Sequence, residues 1–138
     1  MKTRTKARTK AFEILFEASQ RDVDPISLYQ GRLKQRDPKA TPPNAYIQEL
    51  IAGVSENQEK IDETIASFAQ GWTLQRMPNV DLTLLRIGTW EILFNNEVPA
   101  EAVLSEAVAL AREFSGDKSP KFINGVLGRI DKMKETLQ

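Results

Sequence analysis

VDLTLLRIGTWEIL, residues 80–93, predicts the centre of the fold, because its apolar side chains keep the spacing of a buried helix. Apolar residues on one face of a helix recur three and four positions apart. This stretch follows that rule at Leu84, Leu85, Gly88, Ile92 and Leu93. We expect a helix that runs from Asp81 to about Asn95 and lies at the centre of the core.

Two more amphipathic helices follow this central stretch. Pro99 opens the first, because proline lacks an N–H group that the first turn of a helix leaves unpaired in any case. Its apolar stripe consists of Val103, Ala107, Leu110, Ala111 and Phe114. Ser119 with Pro120 opens the second helix. The stripe of that helix consists of Ile123, Val126, Leu127, Ile130 and Met133.

The N-terminal part of the chain also carries helical signals. A first helix is predicted over residues 4–19, where alanine and aliphatic side chains share one face. Asp24 followed by Pro25 has the pattern of an N-cap and a first helical residue, so a second helix is expected to run to about Lys34. The proline-rich residues 35–43 have no apolar period and are predicted to be a linker.

Two further helix starts are predicted in the middle of the chain. Thr41 with Pro42 opens one helix. Ser55 and Gln58 have the spacing of a capping box, which predicts a new helix that Gly71 ends. No segment alternates apolar and polar side chains as a half-buried strand would. The predicted fold class is therefore all-α, with about seven helices.

The composition excludes several classes of enzyme. The chain of 138 residues contains no Cys and no His. Thiolate nucleophiles, Cys/His zinc sites and Ser-His-Asp triads are therefore excluded, and the sequence has no glycine-rich phosphate loop. We expect a protein that is not an enzyme and that uses no cofactor and no metal.

The apolar residues are distributed as in a soluble protein. They make up 41% of the chain, with 28% charged residues, which is ordinary for a globular domain. No apolar run approaches the roughly 20 residues that a membrane-spanning helix needs. The basic N-terminus is not followed by the apolar segment of a secretory signal. The expected location is the cytoplasm, without a membrane contact.

The distribution of charge indicates a polyanionic partner. The formal net charge is zero, yet the first ten residues contain no acidic side chain and hold Lys2, Arg4, Lys6, Arg8 and Lys10. The rest of the chain therefore has a net charge of −5. A basic arm on a mildly acidic body predicts a local contact with a polyanion. The alternative, which charge runs most often represent, is a solvated helix end.

Phe16 lies far from the apolar stripe of the first helix. Successive residues are about 100° apart around a helix, which places Phe16 almost opposite Ala18 and the core, with cations around it. Bases of single-stranded RNA stack on such rings while Lys and Arg bind the backbone. Packing of Phe16 against another helix is an equally good interpretation of the spacing.

Two interruptions of apolar helices have a structural interpretation. Arg86 lies within the apolar segment LLRIG, and its charge needs a partner. We expect a salt bridge to another helix, because no acidic residue is well placed on its own. In the last helix, Gly125 and Gly128 are expected to permit a close helix contact, with Asn124 hydrogen-bonded across it. Phe122 faces away from that helix's stripe, and its exposure stays open.

Several segments together resemble the NusB family of antitermination proteins. The resemblance covers nearly the whole chain and is loosest over residues 20–45. It begins with ARTKAFEILFEA near the start, ELIAGV at 49–54, Ile61, Asp62, Ile65 and Trp72. It continues with VDLTLLRIGTWEIL at 80–93, VPAEAVLSEAVALAREF at 98–114 and KFINGVLGRI at 121–130. The last three segments, in this order and spacing, are the specific ones.

The resemblance implies a fold and a function. The fold would be two three-helix lobes with an additional N-terminal helix, forming one RNA-binding domain over residues 1–138. The protein would bind boxA RNA as a heterodimer with the ribosomal protein NusE. That pair would join an antitermination complex on RNA polymerase and support ribosomal RNA transcription, with a homodimer as an alternative state of the free protein.

The resemblance also implies two sets of site residues. The RNA-binding set is Lys2, Arg4, Lys6, Arg8, Phe16, Lys118, Lys121 and Phe122. The set at the protein partner is Asp81 and Arg86. Relatives often have Tyr at the position of Phe16 and an acidic residue at the position of Lys118, so both differences bear on RNA contacts.

Two alternatives to a freestanding antitermination factor follow from the same residues. The same fold occurs as an appended domain of ribosomal RNA cytosine methyltransferases, but this chain contains no catalytic domain. The second alternative is a helical adaptor with no RNA role. Salt-dependent binding to a short boxA-like RNA distinguishes that adaptor from an RNA-binding protein.

Overall fold

The computed structural model describes residues 2–137, except for the side chain of Lys2. Within these residues the chain forms seven α-helices and one short 3₁₀ helix, with no strand, which confirms the predicted all-α class. The helices are α1 (Lys2–Arg21), α2 (Pro25–Gln35), α3 (Ala45–Glu56), α4 (Gln58–Phe68), the 3₁₀ helix (Leu74–Arg76), α5 (Asn79–Phe94), α6 (Ala100–Phe114) and α7 (Ser119–Leu137). The chain divides after Glu56 into two compact units.

Unit 1 consists of α1, α2 and α3, which pack against one another. The predicted stripe of α1 is buried at Ala7, Ala11, Ile14, Leu15 and Ala18. On α3 the buried side chains include Ile47, Leu50, Ile51 and Val54. The helical spacing of these apolar residues explains why the three helices form and which faces they bury.

The cap at the start of α2 is the one that the sequence predicted. The backbone N–H of Ser27 donates to Asp24 Oδ2 over 3.0 Å, and Pro25 follows the cap. This bond satisfies one of the N–H groups that the first turn leaves without a partner in the helix.

The predicted starts of α3 and α4 were wrong. Helix α3 begins at Ala45, because the backbone N–H of Tyr46 donates to Asn44 Oδ1 over 2.8 Å and makes Asn44 the cap. Helix α3 also continues through Ser55, whose hydroxyl is buried without a hydrogen-bond partner and caps nothing. Asn57 occupies the N-cap position of α4, and its side chain makes no capping hydrogen bond to the first turn.

Unit 2 consists of α4 to α7 with α5 packed against the other three helices, as the sequence predicted for the stretch 80–93. Helix α5 begins at Asn79, slightly before the predicted start, and most of its side chains are buried. A Cβ atom on Gly88 would lie 2.7 Å from Leu127 Cδ1 of α7. A larger residue would have to displace the buried Leu127 side chain, so the absence of a side chain at Gly88 permits a close contact between α5 and α7.

The predicted close contact at Gly125 and Gly128 was wrong. A Cβ on Gly125 would meet Arg129 Nη1 at 3.4 Å, and one on Gly128 would lie an ordinary 3.8 Å from Leu104. Asn124 is exposed and so does not bridge a buried helix contact. The spacing of small residues indicates where approach is permitted, but the facing helix decides where it occurs.

Two properties of the described residues bear on the class of protein. None of the helices between residues 2 and 137 combines the length and the apolar character of a membrane span. The same residues contain no cluster of three acidic or other metal-ligating side chains.

Candidate nucleic-acid interface

The cationic side chains of α1 differ in their exposure to solvent. Lys6 and Lys10 are exposed. Arg4 is half-buried, and its guanidinium carbon lies 5.1 Å from the centroid of the Tyr46 ring, which is a cation–π contact within unit 1. The side chain of Lys2, also predicted to bind RNA, lies outside the described residues. Among the described cations of the first ten residues, Lys6 and Lys10 are therefore the exposed ones.

Arg8 is not part of this exposed face. It is only 2% exposed, whereas a residue that binds phosphate on the surface must be accessible. Phe12 and Leu15 follow Arg8 at helical spacing and are both buried, which explains why Arg8 lies on the inner side of α1. The predicted surface position of Arg8 was therefore wrong.

Phe16 has an aromatic neighbour on its own helix. Its ring stacks on the ring of Phe12, with centroids 5.8 Å apart and an angle of 22° between the planes. Phe12 is 3% exposed, while Phe16 is half-buried. One part of the Phe16 ring thus packs on a buried ring and another part is accessible, so the arrangement combines features of the two predicted roles.

Asp81 and two serines join the start of α5 to the loop between α6 and α7. The hydroxyl of Ser115 donates to Asp81 Oδ1 over 2.5 Å, and the hydroxyl of Ser119 donates to Oδ2 over 2.7 Å. The two hydroxyl oxygens lie 2.8 Å apart. Buried carboxylates need such partners, and Asp81 is 3% exposed. The prediction that Asp81 lies on a partner surface was wrong, because this residue fixes a loop instead.

Arg86 makes the salt bridge to another helix that the sequence predicted. Its Nε–H donates to Asp62 Oδ1 over 2.8 Å, and its Nη2 donates to Asp62 Oδ2 over 2.9 Å. Such bidentate pairs of arginine and carboxylate are among the stronger hydrogen-bonded interactions in proteins. The side chains are 16% and 22% exposed, so the pair lies at the edge of unit 2. Its predicted contact with a protein partner stays a prediction.

An aromatic cleft lies beside the first turn of α7. The rings of Trp72 and Phe122 are 5.8 Å apart between centroids and tilted by 54°. Together with Pro78, Lys118, Ser119 and Asp81 they line a largely apolar cavity of about 280 Å³. Trp72 is 47% exposed, which is unusual for so large an apolar ring. Trp72 was not predicted to be a site residue, although a tryptophan in a connector between helices was the available signal.

A polar groove lies on the other side of the same turn. It has a volume of about 650 Å³ and is lined by Ser105, Val108, Arg112, Ser115, Gly116, Asp117, Pro120, Lys121 and Asn124. Arg112 and Lys121 are both exposed. Two cations therefore face one acidic residue in this groove, which favours an anionic ligand.

Comparison with known proteins identifies the family. The model of the NusB family matches residues 5–132. The chain belongs to the NusB family. Curated NusB proteins are similar over nearly the full length of the chain. The Transcription antitermination protein NusB of Paenarthrobacter aurescens is 50% identical over 137 residues, which are 99% of this chain and 98% of that protein.

Solved NusB structures have the same fold. T. maritima NusB is 33% identical and superposes with a TM-score of 0.82, covering 94% of this chain and 90% of that one. A crystal structure of the antitermination factors NusB and NusE in complex with dsRNA contains a chain that is 27% identical. That chain gives a TM-score of 0.83, with 96% of this chain and 98% of that one covered. The predicted family and the predicted all-α fold are thereby confirmed. The expected division into two three-helix lobes with an additional N-terminal helix was wrong, because α1 packs with α2 and α3 in unit 1 and the other four helices form unit 2.

Proposed function

We propose that this chain is a transcription antitermination factor, and not an enzyme, that binds boxA RNA together with NusE and supports ribosomal RNA transcription. The observation that carries the proposal is the 50% identity, over nearly the whole chain, to a protein named for transcription antitermination. The similar chain solved with NusE and dsRNA supports both partners. Recruitment to an antitermination complex on RNA polymerase, in the cytoplasm, follows from the same proposal.

In unit 1 the proposed RNA face is the exposed side of α1. Lys6 and Lys10 lie on it as exposed cations, Arg4 is held against Tyr46, and the accessible part of Phe16 provides a ring. Lysines and arginines neutralise phosphates, and a ring accepts a base. Arg8 is left out of this face because it is buried.

In unit 2 the proposed RNA residues lie where α7 begins. Lys118 and Lys121 are exposed, and Phe122 is half-buried. The bonds of Asp81 to Ser115 and Ser119 hold the loop that carries Lys118. A preformed loop loses less conformational freedom when it binds, which favours affinity.

The NusE contact is proposed to depend on charge. Outside the first ten residues the chain has a net charge of −5, and a ribosomal protein is expected to be basic, so their association is expected to be fast at low salt and slower as salt rises. Asp81 is not among the proposed contacts, while Arg86 and Asp62 at the edge of unit 2 stay candidates. Binding of NusE is also expected to compete with any homodimer of the free chain.

Fluorescence anisotropy with a labelled boxA RNA tests the proposal. The chain is expected to bind boxA more tightly than a scrambled RNA, and added NusE should increase the affinity. Replacing Lys6 and Lys10 by Ala should weaken binding and reduce the log–log salt slope by about 0.7 for each lost contact with single-stranded RNA. The matched control replaces the exposed Lys34 and Lys39 of unit 1 by Ala.

Equal affinity for boxA and scrambled RNA, with and without NusE, would contradict the proposal. Binding of NusE without any binding of RNA would instead support the helical adaptor. A duplex form of the boxA sequence belongs in the same titration, because the similar NusB–NusE structure contains dsRNA.

A further inference from the structure

The connector between α4 and α5 is attached to α7 at two points. Nε and Nη2 of Arg129 donate to the backbone carbonyl of Phe68 at the end of α4, over 3.2 and 2.8 Å. Further along the connector, the ring of Trp72 packs on the ring of Phe122 with centroids 5.8 Å apart. Phe122 and Arg129 are seven residues apart, so they lie on the same face of α7. This face therefore holds the connector where it leaves α4 and again at Trp72.

The backbone between these two points forms a tight turn. Gly71 has a φ of 77°, a left-handed conformation that glycine adopts without the steric cost of a Cβ atom. The backbone N–H of Trp72 donates to the carbonyl of Ala69 over 3.1 Å. The position of Trp72 is thus fixed by the backbone before it, although its side chain is 47% exposed.

We propose that Trp72 is a positioning residue for the ring of Phe122, and that Arg129 keeps Trp72 in place by holding the end of α4. Neither Trp72 nor Arg129 touches RNA in this role. The role rests on the proposed function, in which the ring of Phe122 binds RNA. The connector then serves as a brace for the start of α7.

Phe122 needs such a support because it lies at the edge of the core of unit 2. On the same helix Ile123 and Val126 are buried, whereas Phe122 is half-buried. A side chain with few neighbours keeps more rotamers, and ordering it costs free energy when a ligand binds. Packing on a large rigid ring fixes the rotamer in advance. The distance between the two ring centroids lies within the range of roughly 4.5–7 Å that favourable aromatic pairs have.

The contact of the two rings also decides which part of Phe122 is available. Because the rings of Trp72 and Phe122 pack directly on each other, no base fits between them. A base that stacks on Phe122 therefore uses the part of the ring that Trp72 leaves uncovered. The alternative is that Trp72 only stabilises unit 2, which predicts a change in stability with unchanged RNA affinity.

A double-mutant cycle tests the role of Trp72 in the full chain, with single-stranded boxA RNA as the ligand. Phe122→Ala should weaken binding by roughly 5- to 150-fold, the range for one stacked base. Trp72→Ala should weaken it by roughly 2- to 13-fold, the range for ordering one side chain on binding. The double variant should bind no more weakly than Phe122→Ala alone, because Trp72 acts only through that ring.

Two further variants control for the loss of a ring. Trp72→Phe should restore most of the affinity, because the smaller ring still packs on Phe122. Phe94→Ala removes another exposed ring of unit 2, which is 40% exposed and does not line the aromatic cleft. It should leave RNA affinity unchanged. Thermal melts of all these variants report whether each one folds.

Arg129→Ala tests the support at the end of α4. It should weaken RNA binding in the unmodified chain and have no further effect in the Trp72→Ala background. Lys132→Ala is the matched control, because it removes the same charge from an exposed position of α7 three residues away. The two variants should have equal log–log salt slopes, because neither side chain binds a phosphate in this role.

The outcomes separate the positioning role from the proposed function. If the unmodified chain binds no RNA, the function fails and the positioning role fails with it. If the chain binds boxA RNA while Trp72→Ala and Arg129→Ala behave as their controls, only the positioning role is overturned. Additive losses in the double variant would mean that Trp72 contacts RNA itself, and would overturn the role as well. A large fall in the melting temperature of Trp72→Ala, with normal RNA affinity of the folded fraction, would make Trp72 a packing residue only.

Discussion

The Ser119 hydroxyl donates to Asp81 Oδ2 over 2.7 Å and so ties the first residue of α7 to the first turn of α5. Ser115 donates to the other carboxylate oxygen. The loop between α6 and α7, which carries Lys118, is thereby held at both of its ends by one buried residue. Asp81 thus fixes the loop that carries Lys118, and it also lines the aromatic cleft beside that loop.

Asp81→Ala is expected to lower the free energy of unfolding by about 1–3 kcal/mol, because the buried hydroxyl of Ser119 and the half-buried hydroxyl of Ser115 lose their acceptor. Asp81→Asn should cost less, since the amide keeps one acceptor oxygen and the other hydroxyl can rotate to accept. Urea denaturation measures both values, with Glu135→Ala, an exposed acidic residue of α7, as the control. Stability equal to that of the control, together with slower association with NusE, would restore Asp81 to the partner surface.

Gly88→Ala is expected to destabilise unit 2 by about 1–3 kcal/mol through overpacking. The new Cβ would lie 2.7 Å from Leu127 Cδ1 and 3.0 Å from Leu127 Cδ2, and Leu127 is fully buried and has little room to move. Gly31→Ala is the matched control, because a Cβ on that helical glycine meets nothing within 4 Å. It should stabilise the chain by up to about 1 kcal/mol. Equal effects of the two changes would contradict the close contact of α5 with α7.

The helices of this chain were predictable from local patterns, because apolar spacing and caps involve residues only a few positions apart. Residues 80–93 and the cap at Asp24 are examples that the structure confirms. The start of α3 was missed because Thr41 followed by Pro42 also has the pattern of a helix start, although Asn, as at position 44, is the stronger N-cap residue. The sequence predicted that Arg86 forms a salt bridge with another helix, but it did not identify Asp62 as the partner.

The site residues were less predictable. A helical wheel gives the orientation of a side chain around its helix, but it does not show which other parts of the chain pack against that side chain. Arg8 and Asp81 were assigned to surfaces although both are buried. Trp72 was missed because it lies in a connector, where no periodicity marks it. Burial and loop geometry depend on contacts between distant parts of the sequence, and those require the folded chain.

The pKa of Glu17 is expected to lie below the ordinary value of 4.5, mainly because Arg32 and then Arg21 hydrogen-bond its carboxylate. A depressed pKa in the folded chain means that the contribution of this contact to stability is present above the unfolded pKa and is lost as the pH falls through the folded pKa. Carboxyl NMR titration of Glu17 measures the pKa. Arg32→Ala should raise it toward the ordinary value and 1 M salt should weaken the effect. An unchanged pKa in that variant would contradict the assignment.

Phe16→Ala separates the two roles that the sequence left open for this ring. Phe16 stacks on the buried Phe12 but is itself half-buried, so truncation should destabilise unit 1 less than the roughly 3–5 kcal/mol expected for Phe12→Ala. If the accessible part of the ring stacks a base, the same variant should weaken binding of boxA RNA by about 1–3 kcal/mol. Phe16→Tyr should bind at least as well, because the ring is kept and relatives often have Tyr there. A thermal melt beside an RNA titration provides both values for each variant. A large fall in melting temperature with normal RNA affinity of the folded fraction would make Phe16 a packing residue only, and would leave the RNA face of α1 to its lysines.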